Sequence, residues 1–203
     1  MKKLILAILF SMSISFAQGT AGTNAKYEYR SLIDLPSAGI LEKGFVGVSA
    51  DVLPYGVVIS KIEVGVFDNF SFGISLRWSK HNWYRKIDWY ELPGVNVRAR
   101  LVDETESMPA FTLGFDSQGK GLYDSELNRF EIKSPGFYVA AAKNFELLGY
   151  LSLHGIINYS LERDDDDKDL NLGVGFEKTV GDKISIVGEY NFAINDNSHQ
   201  SLW

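Results

Sequence analysis

The sequence has no cysteine, only three histidines and five prolines, and no excess of positive charge. Without cysteine there is no disulfide framework, no thiolate metal cage and no cysteine nucleophile. Its 20 basic and 26 acidic residues give a formal net charge of −6 with no basic stripe, which argues against a nucleic-acid partner. No segment beyond the N-terminus reaches the run of about 18 apolar residues that marks a helical membrane span. What is present is apolar and aromatic content, 45% and 13%, too high for a disordered chain. A length of 203 residues suffices for one domain with a buried core.

Lys2 and Lys3 precede an apolar run from Leu4 to Phe16 that only Ser11, Ser13 and Ser15 interrupt. Phe16-Ala17-Gln18 then leads into a Gly/Thr-rich stretch. This pattern predicts a bacterial secretory signal peptide over residues 1–18, cleaved near Ala17 or Gln18. The run is shorter than the roughly 20 residues of a spanning helix, and no Cys follows it to make a lipoprotein signal. An exported chain without a helical anchor is periplasmic, secreted, or an outer-membrane barrel.

Beyond Gly44 the dominant period is two. Phe70, Phe72, Ile74, Leu76 and Trp78 alternate with Ser71, Gly73, Ser75 and Arg77. Leu170, Leu172, Val174 and Phe176 alternate with Asn171, Gly173, Gly175 and Glu177. The whole chain read this way predicts nine strands, near 44–53, 56–66, 70–78, 93–102, 110–117, 130–142, 148–161, 169–178 and 184–194. Pro135-Gly136 inside the sixth predicts a bulge or a switch of face. Residues 19–43 have little periodicity and read as a periplasmic lead-in, tucked under or into the domain that 44–203 forms.

Short links at 67–69, 143–147 and 180–183, with a moderate one at 103–109, alternate with longer polar links at 79–92, 117–129 and 162–168. Short turns at one end and long loops at the other is the layout of an outer-membrane barrel. A soluble barrel has the same period with inside and outside exchanged. Two further features favour the membrane form. Aromatics stand at strand ends on the apolar faces (Phe70, Trp78, Tyr159, Phe176, Tyr190, Phe192), as interface girdles do. The polar faces carry Lys61, Glu63, Arg77, Arg98, Arg100, Asp116, Glu177 and Glu189, charges that a narrow lumen holds in pairs.

The expected fold is therefore all-β, an antiparallel up-and-down transmembrane β-barrel. Closed bacterial barrels have even strand counts, so nine strands predict 10–12 in the complete barrel. Ser201, His199, Asn197 and Asn195 occupy the alternating positions before Trp203 where apolar residues are expected, so truncation at the C-terminus is predicted.

Several stretches resemble a group of uncharacterised bacterial outer-membrane barrels, some labelled YjbH-like. They are Leu32-Ile33-Asp34-Leu35-Pro36-Ser37-Ala38-Gly39, Phe67-Asp68-Asn69-Phe70-Ser71-Phe72-Gly73-Ile74-Ser75, Leu113-Gly114-Phe115-Asp116-Ser117-Gln118-Gly119 and Lys133-Ser134-Pro135-Gly136-Phe137-Tyr138. The resemblance covers most of 30–195 and carries no catalytic residue. It implies an outer-membrane location and an association with exopolysaccharide, although this chain is far shorter than the exopolysaccharide-export protein that gives the group its label.

Remaining features carry little chemistry. The run Asp164-Asp165-Asp166-Asp167-Lys168-Asp169 fails as a calcium loop, because Asp169 or Leu170 stands where glycine is needed and Gly175 or Phe176 where glutamate is needed. It reads as a solvated loop kept open by self-repulsion; loose divalent binding, bridging lipopolysaccharide phosphates, is the alternative. His81, His154 and His199 have no metal-ligand spacing. His154 beside Ser152 reads as a hydrogen-bonded lumen histidine; a barrel hydrolase or acyltransferase is the competing reading. Trp83, Tyr84, Trp89 and Tyr90, with Lys80, Arg85 and Lys86, read as an outer aromatic belt or else as a glycan-stacking site.

The sequence thus predicts a small non-enzymatic protein of the cell outer membrane with a structural, surface-contact or exopolysaccharide- or small-solute-related role. Its expected partners are outer-membrane lipid, lipopolysaccharide and the barrel-assembly machinery. No catalytic residue, cofactor or metal ligand is predicted. The alternative is a soluble periplasmic β-barrel binding a lipid or other apolar ligand.

Overall fold

The computed structural model describes residues 28–81, 86–90, 92–180 and 184–196, with backbone course alone at 80, 81 and 86–89. The predicted signal peptide, Trp83, Tyr84, Arg85, His199 and Trp203 lie outside the described residues. The described chain is all-β. Its strands are β1 (Val46–Leu53), β2 (Val57–Phe67), β3 (Phe70–His81), β4 (Lys86–Trp89), β5 (Gly94–Val102) and β6 (Ala110–Asp116). They continue as β7 (Lys120–Asp124), β8 (Arg129–Ile132), β9 (Gly136–Glu146), β10 (Tyr150–Tyr159), β11 (Asn171–Val180) and β12 (Ile184–Asn191).

Nine of these form one antiparallel meander in the order β1-β2-β3-β5-β6-β9-β10-β11-β12. β4 pairs the end of β3 and lies in line with β5 along the same edge. β7 and β8 form a separate hairpin. The predicted sixth strand is therefore two: β8 belongs to the hairpin, and the chain breaks at Lys133–Pro135 before β9. Gly136 has φ +64°, and Tyr159 faces both Gly136 and Phe137, so a bulge marks the switch. Phe176 lies in mid-strand instead of at an end.

Side chains alternate across the sheet in one consistent sense. On β11, Asn171, Gly173, Glu177 and Thr179 are buried, while Leu172, Val174, Phe176 and Val180 are exposed. On β3, Ser71, Ser75 and Arg77 are buried, while Phe72, Ile74 and Leu76 are exposed. Every charge expected on the polar faces lies on the inner face. The distribution is that of a soluble protein turned inside out.

The sheet curls around residues 28–44, which form a finger. Ser31 and Pro36 bridge to each other, the Leu32 N–H donates to the Leu35 carbonyl, and the Ser37 N–H donates to the Arg30 carbonyl. Both ends of the finger lie at the short-turn end of the sheet, where Gly44 N–H donates to Gly65 O (2.8 Å) and Arg100 pairs with Glu28. Its tip, Ile33–Leu35, reaches the long-loop end. Gly173 lies beneath the tip, and a Cβ there would collide with Leu35. The apolar core is small: Leu35 and Ala38 of the finger against Ala110, Tyr138, Ala140 and Ile156.

β1 and β12 each pair with one neighbour and not with each other, so among the described residues the sheet is open and not a closed barrel. Nine strands alternating in direction leave β1 and β12 running the same way, which precludes antiparallel pairing between them. The outward valines of β1 lie along this open edge: Val48 is 73% exposed, against 42% for Ile74 within the sheet.

Candidate functional site

The inner face carries a concentration of buried, paired charges. Glu63 on β2 is buried between Arg30 of the finger (3.0 Å) and Arg98 on β5 (3.6 Å), and the Ser71 hydroxyl donates to it at 2.7 Å. Lys61 pairs with Asp116 at 2.7 Å. Glu189 accepts the backbone N–H groups of Ile33, Asp34 and Leu35 at 2.9, 2.9 and 3.1 Å. Lys120 reaches down from the β7–β8 hairpin to Asp34 (2.7 Å) and Asp51 (3.5 Å). Burial alone would lower the Lys120 pKa, but these two carboxylates outweigh it and hold the ammonium above its ordinary value.

Beside the finger lies a cavity of about 790 Å³, bounded by Lys61, Glu63, Arg98, Asp116, Lys120 and Glu189 among others. Its volume is in the range of small-molecule sites. The lining mixes these charged side chains with apolar ones such as Leu32, Leu35 and Ile132. Several buried polar atoms nearby have no hydrogen bond: both amide atoms of Asn96, Arg98 Nε and the Tyr138 hydroxyl. His154 is inward-facing, and neither ring nitrogen has a hydrogen-bond partner. The hydrogen-bonded histidine expected from sequence is not formed, and neither is a base–nucleophile bond to Ser152.

The long-loop end is closed by an organised cap. Tyr90, Tyr123 and Phe130 pack with ring centroids 4.7–5.3 Å apart, and Arg77 donates twice to the Gly121 carbonyl. Tyr90 thus belongs to the interior of the cap, not to an outer belt or a glycan platform. Burial, reinforced by the hydrogen bond with Tyr123, pushes its hydroxyl pKa up to about 12.

The acidic run is also more ordered than expected. The Asp165 carboxylate is enclosed between Arg129 (2.5 Å) and Lys133 (2.7 Å), Arg129 also binds Asp196, and Asp164 accepts from Asn128. Pairing with distant cations replaces the self-repulsion that the local sequence implies. Among the described residues no group of His, Asp and Glu side chains is arranged to hold a metal ion.

Burial tends to raise the Asp165 pKa, but the bonds from Lys133 and Arg129 prevail and hold it below the ordinary 3.8. Glu162 shifts the other way, since burial outweighs the N–H groups of Phe130 and Ser134 that it accepts. Stability contributed by Asp165 is fully present above 3.8 and is lost as pH falls through its lower folded value. Stability tied to Glu162 is present below its ordinary value of 4.5 and is lost as pH rises through its raised folded one. Asp165→Asn is therefore expected to make the 117–135 loop more susceptible to protease at neutral pH and to abolish the additional loosening of the wild-type cap below pH 3.8. Limited proteolysis across a pH series checks both; an unchanged neutral-pH cleavage rate would contradict the role assigned to Asp165.

No family model, no curated protein and no solved structure matches the chain.

Proposed function

We propose that this chain is an outer-membrane β-barrel protein, exported by its signal peptide, whose sheet is completed in the bilayer by further strand pairing at β1 and β12. Its role is structural, in surface contact or in small-solute passage, and not catalytic. One observation carries the reading: Glu63, Arg77, Arg98, Asp116 and Glu177 are buried on one face of the meander, while Ile62, Phe72, Ile74, Leu76, Leu113, Leu172, Val174 and Phe176 are exposed on the other. Such a surface is unfavourable in water and matches the apolar band of a membrane barrel. A soluble barrel binding an apolar ligand needs the opposite distribution. The likeness to the YjbH-like group extends the proposal to exopolysaccharide as the partner at the long-loop end.

The protein is expected to co-fractionate with outer membranes and to resist alkaline carbonate. A photocrosslinker at Val174 should capture acyl chains. Recovery in the soluble periplasm, or a lipid-silent Val174, would reject the proposal.

A further inference from the structure

The finger is held in an unusual way. It buries four apolar side chains, Leu35, Ala38, Ile40 and Leu41, and most of its remaining ties are polar. Glu63 holds Arg30, Glu189 holds three tip N–H groups, and Lys120 holds Asp34 and the Ile33 carbonyl. Arg98 donates to the carbonyls of Arg30 and Ser37, and Thr112 donates to that of Ala38 (2.6 Å). Water can replace every one of these bonds, whereas it cannot replace a tightly packed apolar core.

Two further observations bear on whether the finger can leave. Arg98, which it covers, keeps Nε without a hydrogen bond, so the occupied interior is not fully satisfied. Both ends of the finger lie at the short-turn end, and its junction with β1 is Gly44, at φ +84° with nothing within 4 Å of a Cβ position. That junction is conformationally permissive, so a swing of the finger breaks the Gly44–Gly65 bond but unpairs no strand of the meander.

We propose that residues 28–43 are a withdrawable plug, hinged at Gly44, that controls the entry of water and small hydrophilic solutes into the polar interior. Inner-face charges of both signs, Lys61, Arg77, Arg98 and Arg100 beside Asp51, Glu63, Asp116, Glu177 and Glu189, suit uncharged or zwitterionic solutes better than ions of one sign. The proposal deepens the reading above, because the interior it gates is the lumen of that barrel.

The absence of native cysteine makes the test direct. Thr112→Cys puts a thiol beneath the finger, and a small water-soluble methanethiosulfonate reports access to it in lipid vesicles. Adding Lys120→Met removes the tie to Asp34 and should speed labelling by about tenfold, the equivalent of one charge-assisted contact. A Leu35→Cys/Gly173→Cys disulfide, formed before labelling and verified by mass, should suppress it. Equal rates in the loosened and stapled proteins would overturn the plug; if the staple prevents folding, the Lys120→Met rate alone decides. Vesicle flotation of the same samples separates the two ideas. Protein that floats but labels equally loses the plug alone. Protein that fails to float, yet labels differently, loses the membrane reading and keeps the plug.

Discussion

Glu63→Ala is expected to destabilise the folded protein by about 3–5 kcal/mol, the cost of stranding a buried charge. Arg98 is 1% exposed and has Glu63 as its nearest carboxylate, at 3.6 Å. Removing that carboxylate leaves a guanidinium inside the sheet with backbone carbonyls, the Tyr138 ring face 5.9 Å away and the more distant Asp116 to offset its desolvation. It also deprives the finger of the Arg30 tie and Ser71 of its acceptor. The double variant Glu63→Ala/Arg98→Met should regain most of the loss, since an apolar replacement of a buried pair is often neutral or stabilising. Urea unfolding of the refolded protein reads both variants. A loss under about 1 kcal/mol for Glu63→Ala would mean that the pair is hydrated and worth no more than a surface bridge.

Val174→Arg has an effect that depends on the surroundings, which makes it decisive. Val174 is 48% exposed on the outer face, so in water an arginine there should change stability by no more than about 0.5 kcal/mol. In a bilayer the same side chain enters hydrocarbon, at a cost of about 2–4 kcal/mol near the midplane. Folding yield into vesicles, compared with stability in aqueous buffer, is the measurement; equal tolerance in both would remove the case for lipid contact. Asn171 is a poor partner for this comparison. Sequence alone predicts that Asn171→Arg is accommodated beside Glu177 or Glu189. The Asn171 amide instead donates to Asn158 (3.2 Å) and Asn191 (2.8 Å) and accepts from the Ile194 N–H, so a larger group there breaks an interior network in either solvent.

Strand order and facing were legible in the sequence because both follow from local rules. A strict period of two fixes which residues share a face, and links as short as Asp68-Asn69 leave adjacent strands no option but antiparallel pairing. Lys61, Glu63, Arg98, Asp116, Glu177 and Glu189 could be assigned to one face in this way without knowing what each would meet. Errors arose where a local rule was overridden by distant partners. The aspartate run implied repulsion and solvent until Arg129 and Lys133, more than thirty positions upstream, supplied the opposing charge. Tyr90 suited a surface belt until the β7–β8 hairpin folded over it.

What sequence by itself determined is an all-β meander with one apolar and one charged face. Tertiary structure decided what lies inside it. Nothing periodic in residues 28–43 indicates that they enter the sheet, and Ile33 and Glu189 stand 156 positions apart. Their contact depends on the curl of nine strands bringing β12 back towards β1. An odd number of alternating strands also ends in the direction in which it began, so β1 and β12 cannot pair antiparallel. Pairing along a strand is a local matter of period and turn length; the closing of a sheet, and the filling of its interior, depend on the sum of all its strands.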